Sequence, residues 1–334
     1  MPSVTPQSTK LRLRSASDLL AAVPYLIGFH PSDSLVLVGF GDRIVRFLAR
    51  ADLPEPDDPG QVRQLTEVAG RQMIDEAALI GYGPPDQVDP AILELCVALE
   101  EAGLPVREAL RVTGDRYWSY LCQDPDCCPP EGQPFQVASS PIAASAVVAG
   151  CVALPDRTAL EQQLEPIGGV EREMFAAATV HADRRIRKAL TSTDLTSTDQ
   201  VSARGRLVRG GGLLLDRILD RYPDGNRLAD PTAAWLSVLL LVDEFVNLAW
   251  ERVVAATASA HVALWSDLTR RAERAYLPRV ATLLGYAAWR TGDGALAGIA
   301  IQRALGIDPD YPPANVMDAL LMTGTSPDAV EVGP

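Results

Sequence analysis

The sequence predicts an α/β sandwich in the N-terminal part of the chain, followed by an all-α C-terminal region with a tetratricopeptide-like helical hairpin. Up to Pro141, short runs rich in β-branched and aromatic residues alternate with stretches of helical periodicity, as in α/β folds. After Pro141 the apolar spacing is helical almost throughout. We therefore expect an α/β domain over residues 15–150 and a helical region over residues 151–325.

The first expected element is a short helix that leads into a polar elbow and a buried strand. All three lie in the block DLLAAVPYLIGFHPSDSLVLVGF at residues 18–40. Ser17 is the expected helix cap, because a serine side chain accepts hydrogen bonds from free N–H groups at a helix N-terminus. Pro24 is the expected stop, because a proline disfavours helical geometry in the residue before it.

Two β-rich runs, residues 34–40 and 43–51, predict the next two elements as strands. A Gly-Asp dipeptide separates them, and a two-residue connection of this kind is typical of a β-hairpin. With the turn at this dipeptide, Asp33 would lie opposite Arg50 as a cross-strand ion pair. Both faces of the hairpin carry apolar residues, so we expect both faces to be covered.

The remaining elements of the α/β domain alternate between helix and strand. The predicted ranges are a helix at 59–74, a strand at 76–83, a helix at 89–103 and two strands in VREALRVTG and DRYWSYLC. This order of elements makes the central connections candidates for parallel crossovers.

The helical region contains two polar breaks, at residues 191–199 and 223–226, and an apolar stretch at 236–254 that predicts one central helix. Residues 281–314 have the small-residue spacing of a tetratricopeptide repeat, with Gly285 in the first helix of the pair. Small residues there let two antiparallel helices approach closely. Stable arrays need about three repeats, so a peptide-binding groove and a plain helical hairpin are both open interpretations.

Composition and charge restrict the classes of function. The formal net charge is −13, which opposes general binding to nucleic acid and to an anionic membrane. The longest apolar run, at 233–242, is about half the length of a membrane span, and the N-terminal residues lack the apolar core of a signal peptide. We therefore expect a cytoplasmic protein with no membrane partner, whose five cysteines are thiols.

Three blocks, in order along the chain, resemble one protein family. They are residues 18–40 with the following RFLARADLP, the segment RYWSYLCQDPDCCPPEGQP, and the segment WRTGDGALAGIAIQRALGIDPDY. Together they are similar to the actinobacterial family known as domain of unknown function 4192, over nearly the whole chain. The resemblance implies an actinobacterial cytoplasmic protein and transfers no catalytic residue.

Six polar residues form a candidate ligand-binding site at one end of the predicted sheet. They are His30, Ser32, Asp33, Ser34, Arg50 and Asp52. Ligands often bind at strand ends in α/β proteins, and a serine, a histidine and an aspartate are the groups of acyl-transfer chemistry. The sequence has no G-x-S-x-G nucleophile elbow in this segment, which argues against catalysis. The interpretations are a structural role, ligand binding and catalysis.

The segment CQDPDCC holds Cys122, Cys127 and Cys128, which are the candidate redox residues. Cys122 and Cys127 could oxidise across the loop and leave Cys128 as a spare thiol. Zinc is a competing interpretation, but a structural zinc site needs four ligands. A tight loop with small buried thiols is the third interpretation. From the sequence we predict no metal and no cofactor.

A basic run lies on the predicted helix at 173–190. It comprises His181, Arg184, Arg185, Arg187 and Lys188. In an acidic chain, such a run is either a surface for a phosphate or an acidic partner, or a solvated helix end that complements the helix dipole.

The sequence contains no recognisable catalytic constellation and no cofactor loop. The predicted function is therefore a non-enzymatic protein-binding or scaffolding module, with a protein partner or self-association. The alternative is a ligand-sensing or hydrolytic α/β domain that uses the sheet end near His30 and Asp52.

Overall fold

The computed structural model describes residues 13–54, 60–191, 197–221 and 227–327. The fold has a mixed six-stranded sheet in the N-terminal half and mostly helices in the C-terminal half. The chain divides into two compact units, Met1–Leu160 and Glu161–Pro334. The centre of the predicted break at 191–199 and all of the predicted break at 223–226 lie outside the described residues.

The first unit is built around the sheet, whose strand order is β2-β1-β3-β4-β5-β6. The strands are β1 (Ser34–Gly41), β2 (Ile44–Asp52), β3 (Glu76–Tyr82), β4 (Val106–Thr113), β5 (Arg116–Ser119) and β6 (Gln133–Pro134). The helices are α1 (Ala16–Ile27), α2 (Gly60–Gly70), α3 (Pro85–Glu101) and α4 (Pro141–Val148), and α5 (Arg157–Gln162) crosses the boundary between the units.

The parallel crossover expected at the centre of the sheet is present. β3 and β4 pair in parallel and α3 connects them, whereas the other neighbouring strands pair antiparallel. Apolar side chains of α2 and α3 cover one face of the sheet, and Leu35, Leu79 and Leu95 are fully buried in this core. The strand β6 has no counterpart in the sequence prediction, because two residues carry no periodicity.

The first helix begins and ends at other residues than predicted. Ser15, not Ser17, is the cap, and its Oγ accepts a hydrogen bond from a backbone N–H of the first turn at 3.1 Å. α1 continues past Pro24 to Ile27, and the residue that caps it, Gly28, has a left-handed φ of 86°. The predicted stop at Pro24 is wrong because the buried face continues beyond the proline, and a glycine that adopts a left-handed φ easily terminates the helix.

The hairpin between β1 and β2 turns one residue later than predicted. Asp42 and Arg43 form the turn with φ angles of 54° and 62°, as a type I′ turn requires. A bulge between Gly39 and Phe40 then shifts the register once more.

The predicted pairing of Asp33 with Arg50 is therefore wrong. Val36 lies opposite Arg50, and Ser34 lies opposite Asp52. The expectation that both faces of the hairpin are covered holds for β1, which is buried along its whole length. It fails for β2, which lies at the edge of the sheet and is largely half-buried.

The second unit is helical in its described residues. Its helices are α6 (Gly169–Thr191), α7 (Ser197–Leu219), α8 (Asp230–Leu239), α9 (Asp243–Glu251), α10 (Ala258–Arg271), α11 (Leu277–Arg290), α12 (Gly294–Leu305) and α13 (Pro312–Met322). Phe175 and Phe245 are fully buried in this unit. The buried guanidinium of Arg271 contacts the carboxylates of Asp230 and Asp267, each at 2.6 Å.

The single helix predicted at 236–254 is wrong, because this stretch contains the break between α8 and α9. Asp243 and Glu244 lie in the first turn of α9, where the helix dipole favours carboxylates. Hydrophobic periodicity does not reveal the break, because apolar residues continue on both sides of it. Among the described residues no single helix is long and apolar enough to cross a membrane, and α8 with α9 meets that criterion only as a pair bent by 106°.

Candidate functional site

One end of the sheet collects polar residues from three neighbouring strands. Ser34 at the start of β1 pairs with Asp52 at the end of β2 and with Tyr82 at the end of β3. Directly paired residues point to the same face of a sheet, so these three side chains share one face. The parallel strands β3 and β4 also end here, and α/β proteins commonly bind ligands at this end of parallel strands.

Arg50 and Asp52 form an ion pair on this face, with 2.6 Å between Nη1 and Oδ1. The Arg50 side chain is 15% exposed, whereas the Asp52 side chain is 67% exposed. Burial lowers the pKa of Arg50, and the Asp52 carboxylate partly offsets this effect. Asp33 is not the cross-strand partner of Arg50, but its negative charge also favours the charged guanidinium.

Three buried polar atoms at this sheet end have no hydrogen-bond partner among the described residues. They are Ser34 Oγ, Tyr82 Oη and Arg50 Nε. Burial raises the pKa of Tyr82, so its phenol stays protonated at neutral pH. An unpaired buried polar group costs about 1–3 kcal/mol. The sheet end therefore holds three buried polar groups whose hydrogen-bonding capacity is unused among the described residues.

The elbow before β1 is held by backbone contacts. The His30 N–H donates to the Leu154 carbonyl oxygen at 2.9 Å, and the Asp33 carbonyl oxygen accepts from the Leu53 N–H at 3.0 Å. Ser32 is exposed, and Ser34 Oγ has no partner among the described residues. The structure therefore brings Ser34, Arg50 and Asp52 together but does not join His30 to the Ser34 hydroxyl as a base to its nucleophile.

The three cysteines of CQDPDCC come together in the loop between β5 and β6. The Sγ atoms of Cys122, Cys127 and Cys128 all lie within 4.8 Å of one another, and all three are free thiols. The Cys128 thiol hydrogen-bonds to Cys122, which lowers the pKa of Cys122 and raises the pKa of Cys128 to about 12. Cys96 lies on α3, and Cys151 follows the end of α4.

Hydrogen bonds of the backbone fix the shape of this loop. The Asp124 carbonyl oxygen accepts from the N–H groups of Cys127 and Cys128 at 3.1 and 2.6 Å. The Gln133 amide Nε2 donates to the Cys127 carbonyl oxygen at 2.6 Å. These bonds fix the part of the loop that carries Cys127 and Cys128.

In the second unit, a groove of about 330 Å³ opens between α6, α7 and α8. Arg185, Arg206 and Trp235 are among the residues that line it. The Arg185 guanidinium lies 4.3 Å from the centroid of the Trp235 ring, in a cation–π contact. A Cβ on Gly211, which also lines the groove, would lie 2.7 Å from the Phe245 ring. This glycine therefore lets α7 pack closely against α9.

Comparison with known families gives the classification. The sequence matches the family described as Domain of unknown function (DUF4192) over residues 17–328 of 334. The chain belongs to this family. The resemblance of the three sequence blocks is confirmed, and the DUF4192 match extends across both units. No curated protein and no solved structure matches the chain.

In this DUF4192 chain, sequence analysis did not identify several residues of the candidate sites. Arg206 and Trp235 complete the groove from helices distant in sequence from Arg185, so no local motif identifies them. Tyr82 lies at the sheet end because β1 pairs with β3, which places it opposite Ser34. The sequence signals that pointed to these sites were the basic run on α6, for the groove, and the tyrosine near the end of the run EAALIGYG, for the sheet end.

Proposed function

We propose that the protein is a non-enzymatic binding protein whose second unit binds an acidic segment of a partner protein in the groove between α6, α7 and α8. The observation that carries this proposal is that Arg185 and Arg206 line one groove, and neither makes an ion pair within the described part of the chain. Two uncompensated cations in one concave surface favour an anionic occupant.

The surface beside the groove is also basic. On α6, His181, Arg184, Arg185 and Lys188 are exposed and follow the i, i+3, i+4, i+7 spacing that places side chains on one helix face. The seven steps of helical rise from His181 to Lys188 extend about 10 Å. A basic stripe of this length supports contact with an extended acidic chain more than contact with a single small anion.

The groove also has an apolar lining, which includes Ala189, Leu207 and Trp235. A peptide in which acidic and apolar residues alternate matches both parts of the surface. A nucleic acid is the less favoured polyanion, because the whole chain carries a net charge of −13.

The test measures fluorescence anisotropy of a labelled twelve-residue peptide of alternating Glu and Leu, with the Gln-Leu peptide as the uncharged comparison. Arg185→Glu and Arg206→Glu are each expected to raise the Kd about tenfold, because each replaces an attraction worth about 1.4 kcal/mol. Arg274→Glu is the matched control, since Arg274 is an exposed arginine outside the groove and its substitution changes the net charge equally.

Three outcomes would overturn the proposal. The first is equal binding of the charged and uncharged peptides. The second is a loss of affinity in Arg274→Glu as large as that in Arg185→Glu. The third is tighter binding of a twelve-nucleotide poly-dT than of the acidic peptide, which would indicate that the groove binds nucleic acid instead.

We also propose that α11 and α12 form the tetratricopeptide-like hairpin expected within residues 281–314. The support comes from Gly285 of α11, where a Cβ would lie 2.6 Å from Ile301 Cδ1 of α12. A glycine at this point lets the two helices approach closely. Gly292, with a left-handed φ of 82°, lies in the turn between them.

Ligand sensing at the sheet end is the second candidate function. It is favoured by the unpaired buried hydroxyls of Ser34 and Tyr82 beside the Arg50–Asp52 ion pair. The peptide experiment separates the two candidates, because Tyr82→Phe should leave binding in the groove unchanged. A cytoplasmic location is part of both proposals, and the five free cysteines are compatible with that compartment.

A further inference from the structure

We infer that Cys122, Cys127 and Cys128 form a binding site for a thiophilic metal ion, and that Cu(I) is the ion that these three ligands satisfy. The three Sγ atoms lie within 4.8 Å of one another. With metal–sulfur bonds of about 2.3 Å, the sulfurs of a trigonal site are about 4 Å apart. The thiols therefore need to move inward by less than about 1 Å to share one ion. This site is independent of the groove in the second unit.

The loop is preorganised for this role. The Ser119 Oγ accepts a hydrogen bond from the Cys122 N–H at 3.2 Å, so the first ligand is fixed to the end of β5. On the far side, Trp118 Nε1 donates to the Pro130 carbonyl oxygen at 3.0 Å. A Cβ on Gly132 would lie 2.5 Å from the Trp118 ring, so the loop passes directly over that ring. A loop held in this way loses little conformational freedom on binding an ion.

The number of ligands selects the ion. Within the described residues, no further Cys, His, Asp or Glu joins the three thiols as a possible ligand. Soft thiolates suit both Zn²⁺ and Cu(I), but a structural Zn²⁺ site needs a fourth ligand, whereas three thiolates satisfy Cu(I). A cavity of about 30 Å³, lined by Cys128, Ser119 and Gln133 among others, has room for a water molecule. Zn²⁺ with a bound water is therefore the competing occupant that the experiment must exclude.

The experiment titrates the reduced full-length protein with Cu(I) under nitrogen, in competition with the chromogenic chelator bicinchoninate, and counts bound ions by native mass spectrometry. The unmodified chain is expected to bind one Cu(I). Cys127→Ser removes an exposed thiol of the cluster and is expected to weaken binding at least 100-fold. Cys151→Ser removes an exposed thiol of the same unit outside the cluster, and this control is expected to bind as the unmodified chain does.

A second readout uses Cd²⁺, whose thiolate charge-transfer absorption should weaken in Cys127→Ser and persist in Cys151→Ser. Equal Cu(I) affinities in the two variants would overturn the inference, as would a stoichiometry that follows the total number of cysteines. Binding of Zn²⁺ without binding of Cu(I) would overturn the choice of ion. Circular dichroism of Cys127→Ser checks that a loss of binding does not come from unfolding.

Discussion

His261 of α10 is fully buried between two hydrogen-bonding groups. Trp265 Nε1–H donates to His261 Nδ1 at 2.9 Å, so Nε2 carries the imidazole proton and donates to the Arg252 carbonyl oxygen at 3.1 Å. Both nitrogens of the neutral ring therefore have a hydrogen-bond partner. Protonation would put a hydrogen on Nδ1, which would then face the N–H of the Trp265 indole and lose its hydrogen bond. Burial lowers the pKa of His261 to about 4.

We predict that this histidine makes the protein less stable in mild acid. Because the folded pKa lies below the unfolded value of 6.5, the contribution of neutral His261 is complete above pH 6.5 and is lost as the pH falls towards 4. The full loss is about 3 kcal/mol of unfolding free energy. Urea denaturation between pH 7 and pH 4 measures it, and the pH dependence should be smaller in His261→Gln by about this amount.

His181 provides the control for this prediction, because it lies exposed on α6 of the same unit. The matched comparison is His181→Gln, which removes an exposed histidine and leaves the buried imidazole of His261 in place. An identical pH dependence in His261→Gln and in the unmodified chain would show that the buried imidazole does not set it.

At the scale of the elements, the contact of α3 with the sheet depends on a glycine. A Cβ on Gly81 of β3 would lie 2.2 Å from Val88 Cγ1 and 3.1 Å from Ile92 Cγ1. We predict that Gly81→Ala lowers the free energy of unfolding by about 1–3 kcal/mol, the usual cost of overpacking a core. Thermal or urea denaturation of the variant measures this change.

A second substitution distinguishes overpacking from a general effect of alanine. Val88→Ala removes the methyl group that Gly81→Ala would meet, so the double variant should be more stable than Gly81→Ala alone. Gly70→Ala is the matched control, since a Cβ on Gly70 meets no atom within 4 Å and its effect should be small. If the changes in unfolding free energy caused by Val88→Ala and Gly81→Ala simply add in the double variant, the steric explanation is wrong.

The sequence predicts the existence and order of most elements of the first unit, because each has a hydrophobic pattern long enough to distinguish a helix from a strand. Sequence reasoning fails where a single residue or a tertiary contact determines the structure. The one-residue displacement of the turn to Asp42 and the bulge at Gly39 changed every pair of the hairpin. The cysteine cluster was predictable because its members are neighbours in sequence. The groove was not, because Arg185 meets Trp235 only after α6, α7 and α8 have packed.

At the scale of the whole molecule, each unit contains large side chains that are fully buried, such as Leu79 in the first and Trp265 in the second. We predict that residues 1–155 and 156–334, produced separately, each unfold cooperatively on heating, because each piece is within the size range of single domains. A cut after Pro155 keeps Leu154 with its partner His30. It also keeps Asp156, whose Oδ1 accepts from the Ala159 N–H at 2.7 Å, with α5.

Circular dichroism is the measurement for this prediction. The spectra of the two pieces should sum to that of the full chain, with the strand signal confined to the first piece. A piece that melts without a cooperative transition would contradict the prediction that each piece folds on its own.

The two edges of the sheet bear on how copies of this chain can meet. An unpaired strand edge is a template on which another chain can add a strand and begin a fibre. At one edge, β2 carries the charged residues Arg46, Arg50 and Asp52. At the other edge, β6 has two residues, and Pro134 has no N–H to offer. Both edges therefore disfavour the addition of a strand from a second copy of this chain, and with it the growth of a fibre through a continued sheet.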